Sequence, residues 1–124
     1  MVDDESSVGQ ISELQFRKAI KDGAISFHYF EDADKCLNYL NQECTSPSDT
    51  VVLTDISMPD ITGLELLQTI KETFPEMEVF MMSAYSDQKI IKQSLELGAR
   101  GYFTKPVNYK VIKSKIEEDY GVVL

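Results

Sequence analysis

Short apolar or β-branched runs alternate with amphipathic helical stretches along this whole chain, and that alternation leaves few folds open. After Met1, Val2 and an acidic turn, Val8, Ile11, Leu14, Ala19 and Ile20 recur at helical spacing and stop at "KDG". "ISFHYF", Ile25 to Phe30, reads as a strand, and the helix after it places Ala33, Cys36, Leu37 and Leu40 on one face behind an Asp32 cap. The polar, proline-bearing "CTSPSDT" is a loop that leads into the short apolar strand "VVLTD". A third helix, from about Gly63 to Thr73, carries the stripe Leu64, Leu67 and Ile70. "VFMMSA", Val79 to Ala84, is apolar throughout, as suits a strand covered on both faces. A helix capped by Ser86 and closed by Gly98 follows, then "GYFTKPV", a short strand broken by Pro106, and a last helix from about Asn108 to Asp119. Strands alternating with helices imply βαβ units: an α/β fold with a parallel sheet and helices on both faces.

The totals agree with one domain over residues 1–124. A chain of 124 residues can bury a core without disulfides or metal staples. A formal charge of −9, from 12 basic and 21 acidic residues, argues against holding nucleic acid or an anionic membrane by surface field, so the direct partner is expected to be a protein. No apolar run approaches the roughly 20 residues of a membrane span, and the chain opens with acids rather than a signal peptide, which predicts a cytoplasmic protein. Cys36 and Cys44 read as reduced thiols, His28 as a surface or edge-strand residue, and Met77, Met81 and Met82 as core filler.

In parallel sheets functional groups gather outside the carboxyl ends of the strands. Here the first strand, of which only Met1 and Val2 remain, ends in Asp3, Asp4 and Glu5. The third ends in Asp55, the fourth in Ser83, and the fifth in Thr104, Lys105 and Pro106. Bringing Asp3, Asp4 and Asp55 together without a cation is costly, because like charges raise one another's pKa. A few hard oxygen ligands, with room left for water and a phosphate, suit Mg²⁺ better than zinc or a calcium cage. Three carboxylates, one Mg²⁺ and Lys105 sum to zero formal charge, so a phosphoryl group would not meet a negative pocket. After Asp55, Met58, Pro59 and Gly63 shape the turn, Pro59 stiffening the exit and Gly63 taking backbone angles closed to other residues.

"VDDE" from Val2, "TDISMPDITGLELL" from Thr54, "MMSAYSD" from Met81 and "GARGYFTKPV" from Gly98 resemble, in order, the motifs of the receiver domain of two-component response regulators. The match runs from Val2 to about Asp119. The resemblance implies a flavodoxin-like, five-stranded parallel sheet of order 2-1-3-4-5 with five helices. It implies that Asp55 accepts a phosphoryl group from a phosphohistidine on a histidine kinase or histidine phosphotransfer protein. Asp4, Asp55 and the backbone carbonyl of Ser57 would hold Mg²⁺, with Asp3 acting through a bound water. Lys105 would pair with Asp55 and then with a phosphoryl oxygen, and Ser83 would donate its hydroxyl to that group. Tyr102 would swing inward as a switch residue, the Lys105–Pro106 bond would be cis, and Ser57 and Tyr85 would tune a slow loss of phosphate. The protein would be a switch rather than an enzyme. The fourth helix, fifth strand and fifth helix would form the docking or homodimer surface.

The chain also departs from that family. A full apolar strand ordinarily leads into the acidic pair, and here the first strand is truncated. The stretch from Asp4 to Asp55 is somewhat long, with extra residues around the first helix and "KDGAIS". The apolar tail Gly121 to Leu124 is expected to pack on the sheet or pair with a neighbour. No output domain is visible in the chain, so the target is expected to be a separate protein or a linked domain absent here. The alternative to a phosphorylation switch is a receiver-like protein-interaction module that binds constitutively.

Overall fold

The computed structural model describes residues 1–58, 62–84 and 88–124. Pro59, Tyr85 and Ser86, which the sequence assigns to the turn, to tuning and to a helix cap, lie outside the described residues. Three strands pair in parallel: β1 (Val51–Asp55), β2 (Glu78–Ser83) and β3 (Gly101–Thr104), in that order. Asp55 lies opposite Met82, and Ser83 opposite Thr104. Six α-helices accompany them among the described residues: α1 (Ser6–Gln15), α2 (Arg17–Lys21), α3 (Ala33–Glu43), α4 (Gly63–Thr73), α5 (Gln88–Glu96) and α6 (Tyr109–Tyr120).

Both faces of the sheet are covered, and β1 and β2 alternate between two cores. Val52, Val79 and Met81 turn toward Leu66, Leu67 and Ile70 of α4, joined by Ala33, Cys36 and Leu40 of α3. Leu53, Phe80 and Met82 turn the other way, toward Phe16 and toward Ile112 and Ile116 of α6. Met77, Met81 and Met82 are fully buried, as core filler should be. The helix caps follow their chemistry: Asp32, Thr62 and Asn108 each accept a backbone N–H from the first turn of α3, α4 and α6. Gly98 closes the α5 segment at φ +103°, a left-handed conformation that glycine adopts without a steric penalty.

Several expectations are met only in part. Of the five strands expected, three form among the described residues, and the first and second are represented by single parallel bridges, Val2 to Thr54 and Val2 to Phe30. "ISFHYF" therefore pairs only near its end. A ladder needs a neighbour, and Met1 to Asp3 offer one only as far as the Met1 amine donating to the His28 carbonyl at 2.8 Å. The first helix is two helices meeting at Phe16, and it turns inward by its small residues. Gly9, Ser12 and Ala19 are buried with Phe16, whereas Ile11 and Leu14 are 50% and 66% exposed. In α4 the buried positions are Gly63, Leu66, Leu67 and Ile70, with Leu64 only half-buried. The tail turns back at Gly121, where φ is +67°, and lays Val122 and Leu124 against the second core while Val123 stays exposed. Cys36 and Cys44 are free thiols, and no helix among the described residues is long and apolar enough to cross a membrane.

Candidate functional site

The carboxyl end of the sheet gathers the acids. Val2 is the tie: its N–H donates to the Leu53 carbonyl at 2.8 Å and its carbonyl accepts from the Asp55 N–H at 2.9 Å. Asp3 and Asp55 are thereby carried to the same lip. Asp3 is completely buried, Asp55 is 7% exposed and Asp4 is exposed. A ligand oxygen from each of Asp3, Asp4 and Asp55 lies within 4.8 Å of the other two, close enough to share one cation.

Lys105 reaches this cluster from the end of β3. Its Nζ lies 2.6 Å from Asp3 Oδ2 and 3.3 Å from Asp55 Oδ2, so the pair foreseen with Asp55 exists but the shorter contact is to Asp3. The Lys105 N–H donates to the Ser83 carbonyl at 2.7 Å, which locks the end of β2 to the base of the lysine, and the Lys105–Pro106 peptide bond is cis. Burial pulls the Lys105 ammonium down, but the hydrogen bond and the charges of Asp3 and Asp55 outweigh it and leave its pKa raised. Asp55 is also raised: burial dominates, Asp3 adds to it, and Lys105 offsets only part. A buried carboxyl that Lys105 alone does not satisfy is one that gains from a further cation.

The remaining sequence candidates fall around this core. Ser83 is buried at the end of β2. Ser57 is exposed and meets the site through its N–H, which donates to Asp55 Oδ1 at 3.3 Å. Tyr102 stands 40% exposed on β3 and outside the cluster. Gly63 is required for a reason other than its backbone angles, since it is not among the positive-φ glycines. A Cβ there would lie 2.2 Å from the Asp55 carbonyl oxygen and 2.8 Å from Ile56 Cα, so α4 starts against the very end of β1. The Gly63 N–H donates to the Ile56 carbonyl at 2.9 Å across that contact.

Glu5, which closes the acidic run, and two residues that sequence reasoning passed over, Tyr29 and Gly9, hold Asp3 in place. The Glu5 N–H donates to Asp3 Oδ1 at 2.9 Å, and the Tyr29 hydroxyl donates to the Asp3 carbonyl at 2.5 Å. Gly9 makes room for Tyr29, because a Cβ at Gly9 would lie 2.5 to 2.8 Å from three atoms of that ring. A glycine inside a helix is the one signal of this that the sequence carries, and the tyrosine it accommodates is far along the chain, beyond α2.

The sequence pattern of the response regulator receiver domain matches residues 1–117. The DNA-binding transcriptional regulator NtrC of Proteus hauseri is 36% identical over 117 residues, which are 94% of this chain and 23% of that protein. The transcriptional regulatory protein CitT of Halalkalibacterium halodurans is 30% identical over 86% of this chain and 49% of its own length. This chain thus spans about a fifth to a half of the length of the curated relatives it matches. Among solved structures, a BeF3-activated DrrB receiver domain superposes with a TM-score of 0.81 at 26% identity, covering 97% of this chain and 93% of that one. A CheY-like receiver domain protein from Methanospirillum hungatei gives 0.78 at 26% identity, with 97% and 93% covered. With four ordered motifs, one acid lip and this match over nearly its whole length, the chain belongs to the response regulator receiver family.

Proposed function

We propose that this chain is a phosphorylation-driven signalling switch in which Asp55 accepts a phosphoryl group from a phosphohistidine of a histidine kinase or histidine phosphotransfer protein. The observation that carries the reading is Asp55 itself, nearly buried, 3.3 Å from Lys105 and in a cluster of three carboxylates. An oxygen of its carboxylate attacks phosphorus, the bond from phosphorus to the histidine nitrogen of the partner breaks, and that nitrogen leaves with the electron pair. Lys105 stands beside the attacked position and offsets charge that builds on the phosphoryl oxygens. Ser83 donates its hydroxyl to one of them.

The donor set suits Mg²⁺: oxygen only, three carboxylates within reach of one ion, and one of them exposed. Asp3, Asp4 and Asp55 would hold the ion together with the Ser57 carbonyl. When bound, Mg²⁺ neutralises carboxylate and phosphoryl charge. Tyr102, exposed in this structure, moves inward once Ser83 engages the phosphoryl group, and the two packings of the sheet edge differ in what they present to a partner. The chain is a phosphoacceptor that loses phosphate slowly rather than an enzyme with a separate substrate. Its output passes to a protein target or a linked output domain; NtrC and CitT are named as transcriptional regulators and are longer than this chain. A constitutive interaction module has no need of three carboxylates and a lysine held at this spacing, which is why it is not favoured.

The test is exposure to acetyl phosphate with and without Mg²⁺, read by intact mass. One phosphoryl adduct is expected, dependent on Mg²⁺ and lost in Asp55→Asn. No adduct on a folded wild-type chain would return the reading to the interaction module.

A further inference from the structure

The three carboxylates of the acid lip are not held alike. Asp3 has a bond on each oxygen, Oδ1 accepting from the Glu5 N–H at 2.9 Å and Oδ2 from Lys105 Nζ at 2.6 Å. Asp55 has the Ser57 N–H on Oδ1 and Lys105 beside Oδ2, both at 3.3 Å. Asp4 is exposed, and among the described residues neither its carboxylate nor its main chain makes a hydrogen bond. It still brings a carboxylate oxygen within 4.8 Å of the other two acids. A ligand free to turn away loses that freedom when a cation binds, so whatever narrows its range strengthens the site.

The nearest fixed point to Asp4 is the peptide that joins it to Asp3. A peptide unit is planar, so a bond that fixes the Asp3 carbonyl also fixes the direction of the Asp4 Cα. The Tyr29 hydroxyl makes that bond at 2.5 Å, and among the described residues it is the only group that donates to this carbonyl. Tyr29 is set in turn by α1. Its ring lies across Gly9, where a Cβ would fall 2.5 Å from Cδ1, 2.6 Å from Cγ and 2.8 Å from Cδ2. Glycine weakens a helix interior, and here it is what lets the ring approach. Atoms at the root of a ring cannot swing aside as a chain end could, so the position of α1 and that of the hydroxyl go together. Because α1 begins two residues after Asp4, the helix meets this acid by two routes, along the chain through Glu5 and across it through Tyr29.

We propose that Tyr29 is a positioning residue for Asp4 and couples the metal site to α1. Its hydroxyl holds the Asp3–Asp4 peptide so that the Asp4 carboxylate faces Asp3 and Asp55, and its ring carries the position of that peptide to the helix at Gly9. Such coupling is reciprocal: a helix held against the ring strengthens cation binding, and a bound cation steadies the helix. The inference rests on the Mg²⁺ site proposed above and extends it to residues that touch no cation.

Mg²⁺ alone is the probe, titrated calorimetrically into the 124-residue chain and its variants, each shown to be folded by urea unfolding without the metal. Tyr29→Phe keeps the ring and removes the hydroxyl, and should weaken Mg²⁺ binding about fivefold, the worth of one hydrogen bond. Made in Asp4→Ala, the same change should cause no further loss, because the group that Tyr29 aims is gone. A role exercised through Asp3, or through general stability, would give the same loss in both backgrounds. Amide hydrogen exchange gives a second readout that needs no weakened site. Saturating Mg²⁺ should slow exchange along α1 in the wild type and leave it unchanged in Tyr29→Phe. The proposal is overturned by equal Mg²⁺ affinity in wild type and Tyr29→Phe, by an equal loss with and without the Asp4 carboxylate, or by protection of α1 that survives Tyr29→Phe. A folded wild-type chain that takes up no Mg²⁺ would remove the metal site itself and the proposal with it, a result distinct from failure of Tyr29 alone.

Discussion

The two ends of the sheet are built to different standards. At the carboxyl end each strand is tied to the next at or just past its last ladder residue: Asp55 to Val2, Ile56 to Met82 and Lys105 to Ser83, all at 2.7 to 3.0 Å. At the amino end Ala24 to His28 and Thr50 to Leu53 line a cavity of about 580 Å³, with Val122 and Leu124 of the tail against it. Asp3 is positioned by the main-chain bonds of Val2, by its own N–H to the Phe30 carbonyl, and by Glu5, Tyr29 and Lys105.

Substitutions at the tight end should therefore cost more than the chemistry of the open end suggests. The largest effect is expected for Lys105→Met, which leaves Asp3 buried without its cation. Loss of one partner of a buried pair costs about 3 kcal/mol, to be read from urea unfolding, and Mg²⁺ should return part of it. Gly63→Ala comes next, at about 2 kcal/mol, since the new Cβ meets backbone at the end of β1 that has nowhere to move. An unchanged urea midpoint would show that α4 does not press on β1 as described. Tyr29→Phe should cost about 1 kcal/mol, the worth of the hydrogen bond to the Asp3 carbonyl, and should lower Mg²⁺ affinity without changing the fold.

The smallest effect belongs to the open end. Burial pushes the Cys36 thiol up to about 11 from its ordinary 9.0, so between those values the folded chain keeps a proton that the unfolded chain loses. Stability should fall as pH rises through that window. At pH 8 iodoacetamide should label Cys44 first and reach Cys36 only on unfolding; equal labelling would mean that the cavity admits solvent freely to α3.

Much of the acid lip was legible because strand ends can be read from periodicity, and Asp3, Asp55, Ser83 and Lys105 each close an apolar run. The supports were not legible. Gly9 and Tyr29 meet only after the chain has folded back through α1 and α2, and neither residue carries a motif. Periodicity misjudged the first helix because a glycine and a serine face the core there. Gly9 admits a tyrosine ring, and Ser12 Oγ lies 2.7 Å from the Tyr109 hydroxyl, while Ile11 and Leu14 face outward. "ISFHYF" has the composition of a strand, but strand formation depends on a neighbour, and the neighbour is short.

The most direct test of the central claim is to locate the phosphoryl group. The chain would be phosphorylated with acetyl phosphate in Mg²⁺, the acyl phosphate reduced with borohydride, and the peptides mapped by mass. Conversion of Asp55 alone to homoserine is the predicted result. Reduction at Asp3 or Asp4, or no reduced residue in a chain shown to be folded, would contradict the account.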